Sequence, residues 1–266
     1  MRTSLIFIST IVFLFFTSCG QSEAPVKVNS LEFEIVKFSD TEGDCGDQGS
    51  GCVELAVEYP KIKNLLSPGA KRVDEYIWKI ILSPVIDESE PANIEAFRDS
   101  LFSMFREFKA EFSDSPQSWM LNRKVNPAFN SKGIFSMEYF EESYLGGAHG
   151  MEMKYYYNID LNSGKDITLN ELIINEKITE LNTIAEEIFR KQNSIPAKRK
   201  LSDAGYTFEN NKFLLNENFL ITENGLLFRF NPYDIGPYSI GSTELIIPYS
   251  SIRHLIISDT FPGAVL

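Results

Sequence analysis

The side chains in this sequence with chemistry to offer are two histidines, three cysteines, and short clusters of carboxylates and tyrosines. His149 ends the string Tyr144-Leu145-Gly146-Gly147-Ala148-His149. A free imidazole titrates near pH 6.5, so it can serve as a base. A base also needs a partner within hydrogen-bonding reach, and the sequence has no Gly-x-Ser-x-Gly nucleophile turn to supply one. The plainer reading is a ring whose nitrogens bond nearby backbone and lock a loop in which Gly146 and Gly147 supply unusual φ values. Contact with a ligand is the functional alternative. Tyr233, Tyr238 and Tyr249 sit among prolines. Their default role is packing with the hydroxyl satisfied; the functional reading is a surface that stacks on sugar rings or docks a protein. Glu138, Glu141 and Glu142 invite comparison with a glycosidase pair, whose outcome is set by a carboxyl separation of about 5–9.5 Å. On a strand, Glu141 and Glu142 point to opposite faces, and all three are read as solvated charge. No catalytic, cofactor-binding or metal-binding residue is assigned. The candidate ligand-binding set is Tyr144, Gly147, His149, Tyr233 and Tyr238.

The cysteines speak to location. Leu5–Phe16 is an apolar run interrupted only by Ser9 and Thr10, with Arg2 before it. It is shorter than the ~20 residues of a membrane span and has the shape of a signal-peptide core. Phe16-Thr17-Ser18-Cys19 follows at once and resembles the bacterial lipobox, with Phe where Leu is commoner. The expectation is a signal peptide over 1–18, lipidation at Cys19, and a polar linker over 19–30 leading to the fold. An ordinary secretory signal is the competing reading, and both place the chain outside the cytoplasm. Cys45 and Cys52 flank a glycine-rich loop. In an oxidising compartment they are read as a disulfide pinning a hairpin turn, worth roughly 2–3 kcal/mol for so short a loop. The rival is a metal held by Asp40, Glu42, Asp44 and Asp47, in a spacing that fits neither a zinc ribbon nor an EF-hand.

These residues must be carried by a fold. The 266 residues are 43% hydrophobic and 13% aromatic, which excludes global disorder. The net charge of −12 is a poor match for nucleic acid or an anionic membrane face, since both demand clustered cations. Leu31–Phe38 and Val53–Tyr59 alternate as half-buried strands do, with Pro60 expected to stop the second. Ser67-Pro68-Gly69 opens a helix carrying Val73, Ile77, Ile80 and Ile81 on one side, ended by Ser83-Pro84. A second amphipathic helix runs from about Glu90 to Phe112, its aromatic stripe facing the core. Strands follow at Trp119–Val125, Ile134–Tyr144 and Met151–Asp160. Ile178, Leu181, Ala185, Ile188 and Phe189 mark another helix. Phe213–Leu215, Phe219–Thr222, Leu226–Phe230 and Glu244–Ile247 read as strands. Asn224-Gly225 is expected to form a type I′ turn, with positive φ at both positions. Ser250–Ile257 suits a short closing helix. The class is α+β, antiparallel sheets with a few packed amphipathic helices.

Several strings occur in a specific order: Tyr144–His149; Asp160-Leu-Asn-Ser-Gly164; Asn218-Phe219; Phe230-Asn231-Pro232-Tyr233-Asp234-Ile235-Gly236-Pro237-Tyr238 with Gly241; and Ile247-Pro248-Tyr249. Together they resemble the PdaC/RsiV-like family over Leu31–Leu255. The resemblance implies a PdaC-like N-terminal domain over 31–160 and an RsiV-like C-terminal domain over 161–266. In that family such modules lie outside the cytoplasm, beside a polysaccharide deacetylase domain or as the outer part of a membrane anti-sigma factor. This chain has no room for the deacetylase domain and only His149 and His254 to set against its His-x-x-x-His pair. It also lacks the cytoplasmic segment of an anti-sigma factor. What is expected is a non-catalytic, lipid-anchored binding or sensing module in the cell envelope, for a cell-wall glycan or a protein. The alternative is a peptidoglycan-modifying enzyme using His149 and a carboxylate.

Overall fold

The computed structural model describes residues 27–46, 51–85 and 90–257. The signal peptide, Cys19 and the first part of the linker lie outside them. The last part of that linker is held by the fold: the Val28 amide donates to Asn162 Oδ1 at 2.9 Å, and the Gly133 amide to the Asn29 carbonyl at 2.9 Å.

Five strands form the first sheet in the order β1 (Phe33–Asp44), β2 (Gly51–Ile62), β3 (Trp119–Ser131), β4 (Ile134–Tyr144) and β5 (Met151–Asp160). The α+β expectation holds, with one departure: β2 and β3 pair in parallel. The cause is the connection between them. Helices α1 (Pro68–Ile81) and α2 (Ile94–Glu111) return the chain to the end where β2 began, so β3 must run the same way. Pro60 does not stop β2. It faces Ile35 of β1, just past the last β2–β3 pair, Glu58↔Lys124, where its missing N–H costs no bond to β3. Between β3 and β4 the turn is Lys132-Gly133, with φ of 59° and 82°, as a two-residue hairpin loop requires.

One face of this sheet is apolar and buried. Val53, Leu55, Val57, Leu121, Val125 and Met137 lie under α1 and α2, which contribute Val73, Ile77, Ile81, Phe97, Leu101 and Phe105. Each helix starts on a side-chain cap: Ser67 Oγ accepts from the Ala70 amide at 3.0 Å, and Asn93 Oδ1 from the Ala96 amide at 2.8 Å. The α2 stripe is core as expected, except that Phe112, at the C-cap, is half exposed.

The second half wraps α3 (Leu169–Leu172), α4 (Ile178–Gln192) and α5 (Tyr249–Ile252) around a three-stranded sheet, β6 (Phe219–Ile221), β7 (Gly225–Phe230) and β8 (Thr243–Pro248). Phe189, Phe213, Phe228, Phe230 and Leu245 fill its core. Two local expectations fail here. Phe213–Leu215 alternates in burial but pairs with no strand; the Leu215 amide donates instead to Asn182 Oδ1 of α4 at 2.8 Å. Asn224-Gly225 is not a type I′ turn, since neither residue has positive φ. Thr222 makes this turn: its amide and hydroxyl both donate to the Gly225 carbonyl, at 3.1 and 2.8 Å. Gly225 is required by crowding, because a Cβ there would overlap the Ile247 carbonyl of β8.

Asparagine side chains join the two sheets. The outer rim of β5 would expose backbone groups to water or to another strand. Asn231 Oδ1 accepts from the Lys154 amide, and its Nδ2 donates to the Lys154 carbonyl, both at 2.9 Å. Asn218 Oδ1 accepts from the Tyr156 amide at 2.9 Å, and its Nδ2 donates to the Lys154 and Arg229 carbonyls at 2.9 and 3.2 Å. Asn158, reaching back from β5, binds the Phe219 carbonyl at 2.8 Å and the Ile221 amide at 2.9 Å. Each carboxamide offers a donor and an acceptor, as a backbone peptide does, and so stands in for a sixth strand.

Candidate functional site

At one end of the first sheet, the loop after β4 meets the loop between β7 and β8. The sequence candidates converge there. The Tyr144 hydroxyl donates to the Gly147 carbonyl at 3.1 Å and receives the Gln117 side-chain amide at 3.4 Å. Gly147 has φ of +102° with open space where a Cβ would stand, so its freedom serves the turn rather than packing. His149 Nδ1 lies 2.9 Å from the Gly150 carbonyl, and its ring stacks on Tyr238 with centroids 3.9 Å apart and planes 18° from parallel. Tyr238 donates its hydroxyl to the same Gly150 carbonyl at 2.9 Å, clasping the two loops. The Tyr233 ring lies 5.7 Å from that of Tyr238 and is 55% exposed. Its φ of +74° is uncommon for a bulky side chain and turns the ring outward from a loop anchored by Asn231, whose amide donates to Asp234 Oδ2 at 2.7 Å. The result is an exposed shelf of three rings. Tyr249, grouped with these tyrosines in sequence, is elsewhere: buried, with its hydroxyl on the Thr222 carbonyl and its ionisation pushed up by burial.

Beside the shelf runs an ion network that sequence reasoning missed. Arg229, 4% exposed, reaches Glu152 at 2.7 Å and Glu244 at 2.9 Å. Lys154 bridges Glu244 at 3.2 Å and Glu138 at 3.3 Å. The same Glu244 oxygen accepts from the Tyr156 hydroxyl at 3.3 Å. Burial acts to raise the Glu244 pKa, but the hydrogen bonds and charges of Lys154 and Arg229 outweigh it and hold the carboxyl below its usual range. These residues come from β4, β5, β7 and β8, so no local spacing marks them; the one available signal is Arg229 inside the apolar run Leu226–Phe230, a charge that must find a partner if buried.

The carboxylates are not free. Glu141, expected to be solvated, pairs with Arg123 at 2.8 Å and accepts the Tyr139 hydroxyl at 2.6 Å. Arg123, 2% exposed, also donates to the Ile81 and Ser83 carbonyls at the end of α1 and lies over the Phe97 ring. Glu138 is engaged by Lys154 and Asn126. Only Glu142 of the three fits the solvated reading by its exposure. The second histidine, His254, is remote from the shelf, 2.8 Å from Glu180 of α4. Cys45 and Cys52 are joined, Cα to Cα 5.1 Å, at the turn end of the β1–β2 hairpin. This is the expected bridge; with both sulfurs bonded to each other, neither is a thiolate ligand for a metal.

An open five-stranded sheet under two helices, clamped to a small three-stranded unit, defines an α+β class of two-sheet proteins. Residues 47–152 match the family model described as "Deacetylase PdaC", and residues 165–250 the model described as "Protein of unknown function (DUF3298)". The chain thus carries a PdaC match followed by a DUF3298 match, in the order the motifs suggested. Two solved structures share the fold. A member of the DUF3298 family from Bacteroides fragilis is 21% identical, with a TM-score of 0.69, covering 90% of this chain and 98% of its own. A DUF3298 family protein from Pseudomonas aeruginosa is 20% identical, with a TM-score of 0.59, covering 87% and 98%. No curated protein matches the chain. Among the described residues, no helix is long and apolar enough to cross a membrane.

Proposed function

We propose that this chain is a lipid-tethered, extracytoplasmic binding or sensing module, and that its ligand seats on the shelf of His149, Tyr238 and Tyr233. The observation that carries this reading is the exposed stack itself. Three rings held outward at a loop junction give up contact area unless something covers them. Flat aromatic faces suit the C–H face of a sugar ring, and Glu152 and Asp234, exposed although one oxygen of each is held by Arg229 and by the Asn231 amide, keep further lone pairs for sugar hydroxyls nearby. A cell-wall glycan is the ligand class favoured; a protein ligand is the other outcome the test separates. The tether is proposed from the apolar run before Phe16-Thr17-Ser18-Cys19, and mass spectrometry of the mature N-terminus would read the acyl group directly.

Deacetylase chemistry, named in the description of the matched PdaC family, is not carried over. The known contacts of His149 are a backbone carbonyl and a stacked ring, and Glu138 and Glu141 are committed to Lys154 and Arg123. The test is co-sedimentation of the full chain with insoluble peptidoglycan. Tyr238→Ala should lose at least tenfold in binding, with some loss of stability from its broken clasp, and Tyr233→Ala, an exposed ring outside that clasp, should weaken binding while melting as the native chain does. If sugar is inactive but an identified envelope protein binds in a Tyr238-dependent way, the ligand is protein. Binding unaffected by Tyr238→Ala and Tyr233→Ala, or turnover of a muropeptide, overturns the reading.

A further inference from the structure

We infer that the opposite end of the first sheet is a docking face for an anionic lipid bilayer, so that the protein stands with its aromatic shelf directed away from the membrane. The strands impose this polarity. β1 begins, β2 and β3 end, β4 begins and β5 ends at one extremity, whereas the disulfide, Trp119 and the His149 loop share the other. With 10 residues in β5 and 11 in β4, the two ends are roughly 30–35 Å apart. The chain leaves the described fold toward its N-terminus at Lys27, on the extremity remote from the shelf, where Val28 and Asn29 are fixed to the Asn162 and Gly133 turns.

That extremity has the surface chemistry of a membrane contact. Leu66 is 87% exposed and Leu65 40% exposed on the β2–α1 loop, beside a groove of about 890 Å³ lined by Lys27, Val28, Leu31, Leu66 and Pro68. At the same extremity stand Lys27, Lys63, Lys132 and Lys165, the last three carried by the β2–α1 loop, the β3–β4 turn and the turn after β5. The acids of the same end are Glu32, Glu34, Asp160 and Asp166, with Lys61 opposite Glu34 across the β1–β2 pair. Asp160 is occupied by the Asn162 and Ser163 amides, and Asp166 by Arg72 and the Tyr76 hydroxyl. In a chain of net charge −12 this is a local excess of cations, each attracted to anionic headgroups, with two leucines to enter the interface.

The inference rests on the tether reading for its orientation. Residues between Cys19 and Lys27 reach at most about 30 Å when fully extended, so an acylated Cys19 keeps this end near the bilayer and lets weak contacts act at high effective concentration.

The test places one fluorophore at Leu66→Cys and, separately, at Tyr233→Cys in the full mature chain. Vesicles contain equal parts phosphatidylglycerol and phosphatidylcholine, with a quencher on the lipid chains. The position-66 label should be quenched several-fold more than the position-233 label. The charge-reversed variant Lys63→Glu/Lys165→Glu should lose most of that difference, with an effective docking constant weakened about tenfold or more. A chain that sediments with vesicles yet shows equal quenching at the two positions overturns the docking face and leaves the tether standing. One that does not sediment overturns both.

Discussion

Replacing Asn218 by Ala tests the central claim about how the two sheets hold together. The carboxamide accepts from the Tyr156 amide and donates to the Lys154 and Arg229 carbonyls. At about 1 kcal/mol for each of these bonds, and with the Tyr156 amide left partnerless in the seam, the loss is about 3 kcal/mol. A chain of this size loses about 2–4 °C per kcal/mol, so the melting temperature should fall by about 6–12 °C. Differential scanning calorimetry reads that number, with Asn170→Ala, an exposed amide, as the control. Amide hydrogen exchange reads the mechanism. The Tyr156 N–H should lose protection, while the Lys154 N–H, held by Asn231, should keep it. A variant melting within about 2 °C of the native chain, or equal loss at both amides, would refute the idea that these side chains replace a strand.

Gly225→Ala should cost about 2 kcal/mol or more, because its Cβ meets the Ile247 carbonyl. Gly147→Ala should cost nearer 1 kcal/mol, since there only the positive φ is strained and the space is open; chemical denaturation of the two variants should rank them in that order. Glu244 sets an acid limit on the seam. Its folded-state pKa lies below the unfolded value of about 4.3, so its contribution is fully present above that pH and fades as pH falls through the lowered value. Melting temperature plotted against pH should drop through this window in the native chain and flatten in Glu244→Gln; identical profiles would remove Glu244 from the account.

Much of the fold was legible because burial follows periodicity. Val73, Ile77, Ile80 and Ile81 share a helix face, and Met151–Asp160 is a strand to the residue. The disulfide was legible because a close cysteine pair in a glycine-rich loop has few other uses. Beyond that, the readings failed where a long-range partner decides. The β2–β3 pairing is parallel because two helices intervene, which strand patterns alone do not encode. Asn224-Gly225 looked like a mirror-image turn, but its glycine answers to β8, more than twenty residues on, and Lys132-Gly133 carries the positive φ values instead. Glu141 looked solvated because its buried partner, Arg123, sits on another strand. Asn218 and Asn231 stood in the family strings, yet their work on the β5 rim is done across 62 to 77 residues of sequence. The aromatic candidates stand out by residue type; their convergence depends on a clasp between two halves that no spacing reveals.

The first sheet is closed by amides on one side only. On the other side β1 is a twelve-residue border strand with no neighbour beyond it among the described residues. Such a border invites a second molecule to zip alongside, a hazard for proteins crowded onto a surface. Here the border reads Glu34, Lys37, Asp40, Glu42 and Asp44, and Arg98 and Arg106 of α2 lean across to Asp40 and Glu42. An incoming copy would lay its own acids against these and disturb two arginine bridges. The strand thus acts as a fender, keeping neighbours as separate posts rather than letting them fuse into a fence.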